Sequence, residues 1–275
     1  MLMRGGTSKG AYFVAGDLPD DASQRDDLLL RVMGSPDPRQ IDGIGGAHLL
    51  TSKVAVVGPS DDPGADVDYL FLQVGVDEAY VTDRQNCGNL LAGVGPFAVE
   101  RGLVAARGGE ARVRIRLVNT GGTAVAAFPL DGGRPVYHGS RAISGVPGTA
   151  AEVRIDFEGT AGSTCGRLLP TGSAVDRVAG IDATCIDNGM PLVLVRAGDL
   201  GVTGYETPPQ LEADADLAAA VEKVRVAAGE AMGFSGADLA SLPKLTLVAP
   251  PAAGGTLCTR TFVPIQVHEA IGVTG

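Results

Sequence analysis

The sequence predicts a mixed α/β fold of the α+β kind, built as two similar halves. Three observations point there. Short β-rich segments dominate the 275 residues, one largely apolar helix lies among them, and a strand pair in the first half has an echo in the second.

The strand signals come first. Residues 51–57 form an apolar run that ends at Gly58-Pro59, and residues 67–76 form another. Residues 112–118 and 152–157 alternate apolar with polar, as strands do when one face is solvated. Residues 191–195 are apolar throughout, as in a strand buried on both faces. A count of 40 glycines agrees with many tight turns.

Helices are fewer. Residues 25–33 place Leu28, Leu29 and Val32 on one face, and residues 217–232 form an Ala-rich helix stopped by Gly233. Residues 86–102 are apolar nearly all round, which predicts a helix buried inside a β shell. Pro96 should kink it or mark a turn boundary, and Gly102 should close it.

The echo divides the chain. Ser52-Lys53-Val-Ala-Val-Val57 is matched by Pro243-Lys244-Leu-Thr-Leu-Val248, and Tyr69-Leu-Phe-Leu-Gln73 by Thr261-Phe-Val-Pro-Ile265. Cys87, near the start of the buried helix, follows Lys53 by 34 residues. The same step from Lys244 passes beyond Gly275, so the second half is expected to be incomplete at its C-terminal end. The expected halves are 1–166, carrying Lys53 and Cys87, and 167–275, with a linker around residues 162–170.

Composition narrows the function. The hydrophobic share of 45% supplies enough apolar material for sizeable cores. A net charge of −10 repels a phosphate backbone and an acidic membrane surface, so neither nucleic acid nor membrane is an expected partner. Cys87, Cys165, Cys185 and Cys258 show no CxxC spacing, so no metal site is expected. With no signal-peptide pattern and no run of about 18 apolar residues, the expected compartment is the cytoplasm.

Cys87 stands in Asn-Cys-Gly-Asn at a predicted helix start, where unpaired N–H groups favour a thiolate and Gly88 lets a ligand carboxylate approach the backbone. A buried structural cysteine is the bland alternative, which the flanking polar residues disfavour. Lys53 interrupts an apolar strand. It reads either as a surface lysine or as a base held in a dry cavity. Met3-Arg-Gly-Gly-Thr-Ser-Lys-Gly10 gathers hydroxyls, cations and glycines, as an anion nest or a flexible terminus would, without the spacing of a nucleotide phosphate loop. Asp42-Gly-Ile-Gly-Gly46 does not fit a dinucleotide fingerprint. His268 with Cys87 lacks the third member that a cysteine hydrolase needs.

Taken together, Met-Arg-Gly-Gly-Thr-Ser-Lys-Gly (3–10), Met-Gly-Ser-Pro-Asp (33–37), Gln-Ile-Asp-Gly-Ile-Gly-Gly (40–46), Thr-Ser-Lys-Val-Ala (51–55), Gln-Asn-Cys-Gly-Asn (85–89) and Leu-Leu-Pro-Thr-Gly (168–172) resemble the PrpF family of 4-oxalomesaconate tautomerases and 2-methylaconitate cis-trans isomerases. Residues 184–191 and 200–206 resemble its 4-oxalomesaconate branch. The resemblance implies the diaminopimelate-epimerase-like fold. In that fold two pseudo-symmetric halves each wrap a sheet around a central helix, with the active site between them.

It also implies a cofactor-independent isomerase, acting in gallate or protocatechuate breakdown by keto–enol tautomerisation or a 1,3-allylic proton shift. Lys53 and Cys87 would be its acid–base pair. Arg4, Thr7, Ser8, Gly88, Asn89 and His268 are candidates for holding the tricarboxylate. The alternatives are a 2-methylaconitate isomerase and, in another class, a non-catalytic remnant that binds polycarboxylates. The family pattern continues past Gly275, so either the chain is a piece of a longer protein, or a second chain, as in a homodimer, or a rearrangement covers the gap.

Overall fold

The computed structural model describes residues 1–83, 87–252, 254–264, 266–270 and 272. Gln85 and Asn86 of the cysteine motif, and Ile265 of the echo, lie outside the described residues. The chain divides into two compact units, Met1–Glu158 and Gly159–Gly275. The division falls ahead of the 166/167 boundary because residues 162–168 are tied to the strand that ends at Asp187. Asp187 accepts from the backbone N–H groups of Gly162, Thr164 and Cys165, and its own N–H donates to Leu168 O.

The first unit comprises β1 (Leu2–Gly5), β2 (Ser8–Val14), α1 (Ala22–Met33), β3 (Lys53–Pro59), β4 (Val67–Val74), β5 (Val81–Thr82), α2 (Gly88–Leu91), α3 (Val94–Glu100), β6 (Glu110–Leu117), β7 (Thr123–Asp131), β8 (Arg134–Pro135) and β9 (Arg154–Glu158). Its nine-stranded sheet runs β1-β2-β3-β4-β6-β7-β8, with β5 on β4 and β9 on β7. Helix α1 begins earlier than its apolar face suggested, because the Asp21 side chain accepts from Gln24 N at 2.9 Å and caps it. β6 alternates exposed and buried residues along its length, as its pattern predicts.

The β2-β3-β4 sheet separates two cores. Val54, Val56, Leu72 and Val74 face α1 with Leu29 and Met33. Ala55, Val57, Tyr69 and Phe71 face the opposite way, onto Leu90, Leu91, Val94 and Phe97 of α2 and α3. Burying a Leu or Phe side chain in this way is worth about 1.5–3 kcal/mol.

The buried helix expected over 86–102 is divided. α2 and α3 are joined by a turn at Ala92 and Gly93, both still right-handed helical. The reason is Pro96, which has no N–H to offer the Ala92 carbonyl four residues back and crowds it with its ring. Gly102, at φ +71, closes the segment.

The second unit comprises β10 (Asp176–Val178), β11 (Ile181–Asp187), β12 (Pro191–Arg196), α4 (Pro208–Glu212), α5 (Ala215–Ala231), β13 (Lys244–Ala249), β14 (Cys258–Val263) and β15 (Gln266–Val267). Its six strands lie in sequence order. Leu217, Val221, Val224 and Ala228 of α5 pack on Val193, Val195, Leu245 and Leu247.

The echo is structural as well as sequential. β3 and β13 both begin at a lysine, pair parallel with the strand before them and antiparallel with the strand after. In both units the preceding strand runs into a 3-10 turn of the same sequence, Ala15-Gly-Asp-Leu18 and Ala197-Gly-Asp-Leu200. By position in the chain, α5 is therefore the counterpart of α1, not of the α2–α3 pair. Among the described residues, no helix of the second unit corresponds to α2 and α3.

Candidate active site

Strand alternation brings the chemistry to one face. Register pairs Gly10 with Lys53 and Lys53 with Gln73, so Ser8, Lys53 and Phe71 share the side of the sheet that α2 covers. Cys87 is the N-cap residue of α2 and is 7% exposed, and Lys53 is 9% exposed. Lys53 Nζ lies 3.6 Å from Cys87 Sγ and stands 5.1 Å from the centre of the Phe71 ring, whose face favours a cation.

Among the described residues the sulfur also meets Leu90 N at 3.4 Å and Ser8 Oγ at 3.7 Å. A buried thiol or thiolate beside an amine, a hydroxyl and a backbone N–H can exchange protons without leaving a polar group unsatisfied.

Two buried tyrosines hold the backbone around this sulfur. Tyr69 Oη donates to Cys87 O at 3.3 Å, and Tyr12 Oη to Leu90 O at 2.5 Å. Burial pushes both phenols well above the ordinary tyrosine range, and the Cys87 sulfur adds to the effect. Both therefore remain neutral donors.

The other expected ligands are distributed as follows. Thr7 N donates to Asn89 Oδ1 at 3.1 Å, and Gly6, at φ +54, has no room for a Cβ because Asn89 Oδ1 would lie 2.3 Å from it. Thr7 Oγ1 is buried and has no hydrogen-bond partner among the described residues. Gly88 opens α2 beside the sulfur. Arg4 pairs with Lys9, on the opposite face of the β1–β2 hairpin from Ser8, and its guanidinium donates to Gly6 O at 2.6 Å. His268 belongs to the second unit, where its backbone N–H donates to Thr261 O at 2.8 Å and its Nδ1 accepts from Ala270 N at 3.0 Å.

Sequence reasoning missed the layer behind the pair. Gln40 is 1% exposed and has φ +47, in the left-handed region that few side chains adopt. Its Oε1 accepts from Ala47 N and Ser52 Oγ, both at 2.8 Å, and its Nε2 donates to Ser35 Oγ at 3.0 Å. Gln73 Nε2 donates to Ser52 O at 3.0 Å. The loop that delivers the chain into Lys53 is thus tied down from two sides. Phe71 was within reach of strand periodicity. Gln40 carried no signal beyond its place in a Gly-rich motif.

The relatives show that the chain is an isomerase. A family model described as PrpF protein matches residues 1–275, and the chain belongs to that family. It is 60% identical over 275 residues to the (4E)-oxalomesaconate Delta-isomerase of Novosphingobium sp. (strain KA1), covering 100% of this chain and 77% of that protein. It is 56% identical over 275 residues to the 4-oxalomesaconate tautomerase of Pseudomonas putida, covering 100% of this chain and 76% of that protein.

Among solved structures, a methylitaconate-delta-isomerase matches with TM-score 0.84 at 38% identity, over 99% of this chain and 76% of that one. A probable proline racemase from Agrobacterium radiobacter K84 matches with TM-score 0.51 at 16% identity, over 98% of this chain and 72% of that one, and shows the fold alone. The expected α+β, epimerase-like fold with two sheets is therefore the observed one. Among the described residues no helix is long and apolar enough to cross a membrane.

Proposed function

We propose that this isomerase moves a proton within 4-oxalomesaconate, by keto–enol tautomerisation or a 1,3-allylic shift, in the breakdown of gallate or protocatechuate cleavage products. The observation that carries the reading is the buried contact of 3.6 Å between Lys53 Nζ and Cys87 Sγ. The names of the two relatives at 60% and 56% identity support the choice of substrate.

The substrate's own carbonyl and carboxylates acidify the proton, so the step asks for no cofactor. Lys53, as the free amine, takes the proton and becomes an ammonium. Cys87, as the thiol, delivers one at the other end and becomes a thiolate. Ammonium and thiolate are then neighbours, and one proton passing from Nζ to Sγ restores both groups. The dienolate formed between needs donors around its carboxylates. Thr7 Oγ1, buried with no partner among the described residues, suits one of them. The N–H groups of Gly88 and Asn89, at the start of α2, complete the proposed set.

The test is exchange in deuterated water, followed by NMR, with 4-oxalomesaconate and 2-methylaconitate as parallel substrates. Lys53→Met and Cys87→Ser should each lower the rate by about 10²–10⁴-fold. Faster turnover of 2-methylaconitate would move the substrate assignment. Binding without exchange by the folded wild type would favour a non-catalytic polycarboxylate binder. Full activity in both variants would remove the pair from the mechanism.

A further inference from the structure

We infer that Ser8 is a positioning residue for the Cys87 sulfur rather than a ligand of the substrate. The inference rests on the reading of Cys87 as a proton-transfer group. Ser8 opens β2 immediately after the Gly6–Thr7 turn, is only 2% exposed and commits its hydroxyl to the sulfur. Ser8 Oγ lies 3.7 Å from Sγ, and this is the one side-chain hydrogen bond Ser8 makes among the described residues.

Three partners of the sulfur among the described residues differ in what they can do. Leu90 N–H only donates, at 3.4 Å. Lys53, at 3.6 Å, exchanges its own proton during the cycle. A serine hydroxyl rotates: it donates to a thiolate and accepts from a thiol. Ser8 is therefore a partner that satisfies the sulfur in both of the states between which the reaction moves it without changing its own protonation. The neighbouring hydroxyl, Thr7 Oγ1, has no such partner. The two adjacent hydroxyls divide the work, with Thr7 toward the ligand and Ser8 toward the sulfur.

The test uses the full chain carrying Ser8→Ala, with folding checked by circular dichroism. Alkylation of Cys87 by iodoacetamide at pH 7, without substrate, is followed by peptide mass spectrometry. A charge-assisted hydrogen bond lost from the thiolate should slow alkylation by roughly tenfold. In turnover, kcat should fall by roughly the same factor while KM stays within about twofold. Ser8→Thr, which keeps the hydroxyl, should recover most of both rates. Unchanged alkylation with a raised KM would overturn the inference and return Ser8 to the substrate. Unchanged alkylation and kinetics would overturn it as well. Because alkylation is read without substrate, its answer stands even if Cys87→Ser proves fully active, a result that would instead remove the acid–base reading.

Discussion

Gly93 is where local propensity and tertiary packing disagree, and Gly93→Ala decides between them. The residue sits in the turn between α2 and α3 at φ −86, which alanine adopts without strain. Propensity alone therefore credits the substitution with about 1 kcal/mol of stabilisation. The structure gives the opposite sign. A Cβ at Gly93 would lie 2.3 Å from Tyr12 Oη, 2.6 Å from its Cζ and 2.9 Å from its Cε1. Tyr12 is 1% exposed, packs against Phe97 at 5.7 Å between ring centres and holds Leu90 O, so it has nowhere to retreat.

Overpacking of this kind costs about 1–3 kcal/mol. Losing the Tyr12–Leu90 bond costs about 1 kcal/mol more, which offsets the propensity gain. The expected net is a loss of about 1–3 kcal/mol, read as a lower urea midpoint by circular dichroism, since the chain has no tryptophan. In a Tyr12→Phe background the penalty should shrink by about 1 kcal/mol, because the nearest clashing atom is gone while the ring carbons remain. Equal or greater stability of Gly93→Ala, with no coupling to Tyr12, would refute the reasoning.

Gln40→Leu should destabilise the first unit by about 1–3 kcal/mol, because Ser52 Oγ, buried at 0% exposure, loses one acceptor and Ala47 N loses its partner. Its turnover should fall with it, since the loop it holds leads into Lys53; unchanged turnover in a measurably less stable variant would show that the loop does not position the lysine. The second unit should lose stability in alkali. Burial, with Asp176 beside it, pushes the Cys185 thiol up to about 12, and burial, with Asp187, pushes Cys165 up to about 11. A thiol in the unfolded chain ionises near 9.0, so above that pH the unfolded state binds fewer protons than the folded one and stability falls as pH rises. Cys185→Ala should flatten the slope of urea stability between about pH 9 and 11 by up to about 1.4 kcal/mol per pH unit; parallel slopes in the two proteins would count against it.

Much of the fold was legible because it is local. Alternation along residues 112–118 became β6, and the apolar run 191–195 became a strand inside the sheet. The break near Pro96 was legible too, since a missing N–H acts within four residues. The role of Gly93 was not, because the atom that forbids a side chain there belongs to Tyr12, far away in sequence on strand β2.

The candidate site divides along the same line. By itself the sequence determined that Lys53 interrupts an apolar strand, that Cys87 heads an apolar helix, and that the motifs around both are those of one isomerase family. Only the tertiary structure decided that Nζ and Sγ lie 3.6 Å apart, that Ser8 turns to the sulfur while Thr7 does not, and that Gln40 anchors the loop leading into Lys53. Propensity and pattern act over a few neighbouring residues, whereas contacts spanning 34 and 79 residues exist only once strand register and core packing have chosen which side chains share a face.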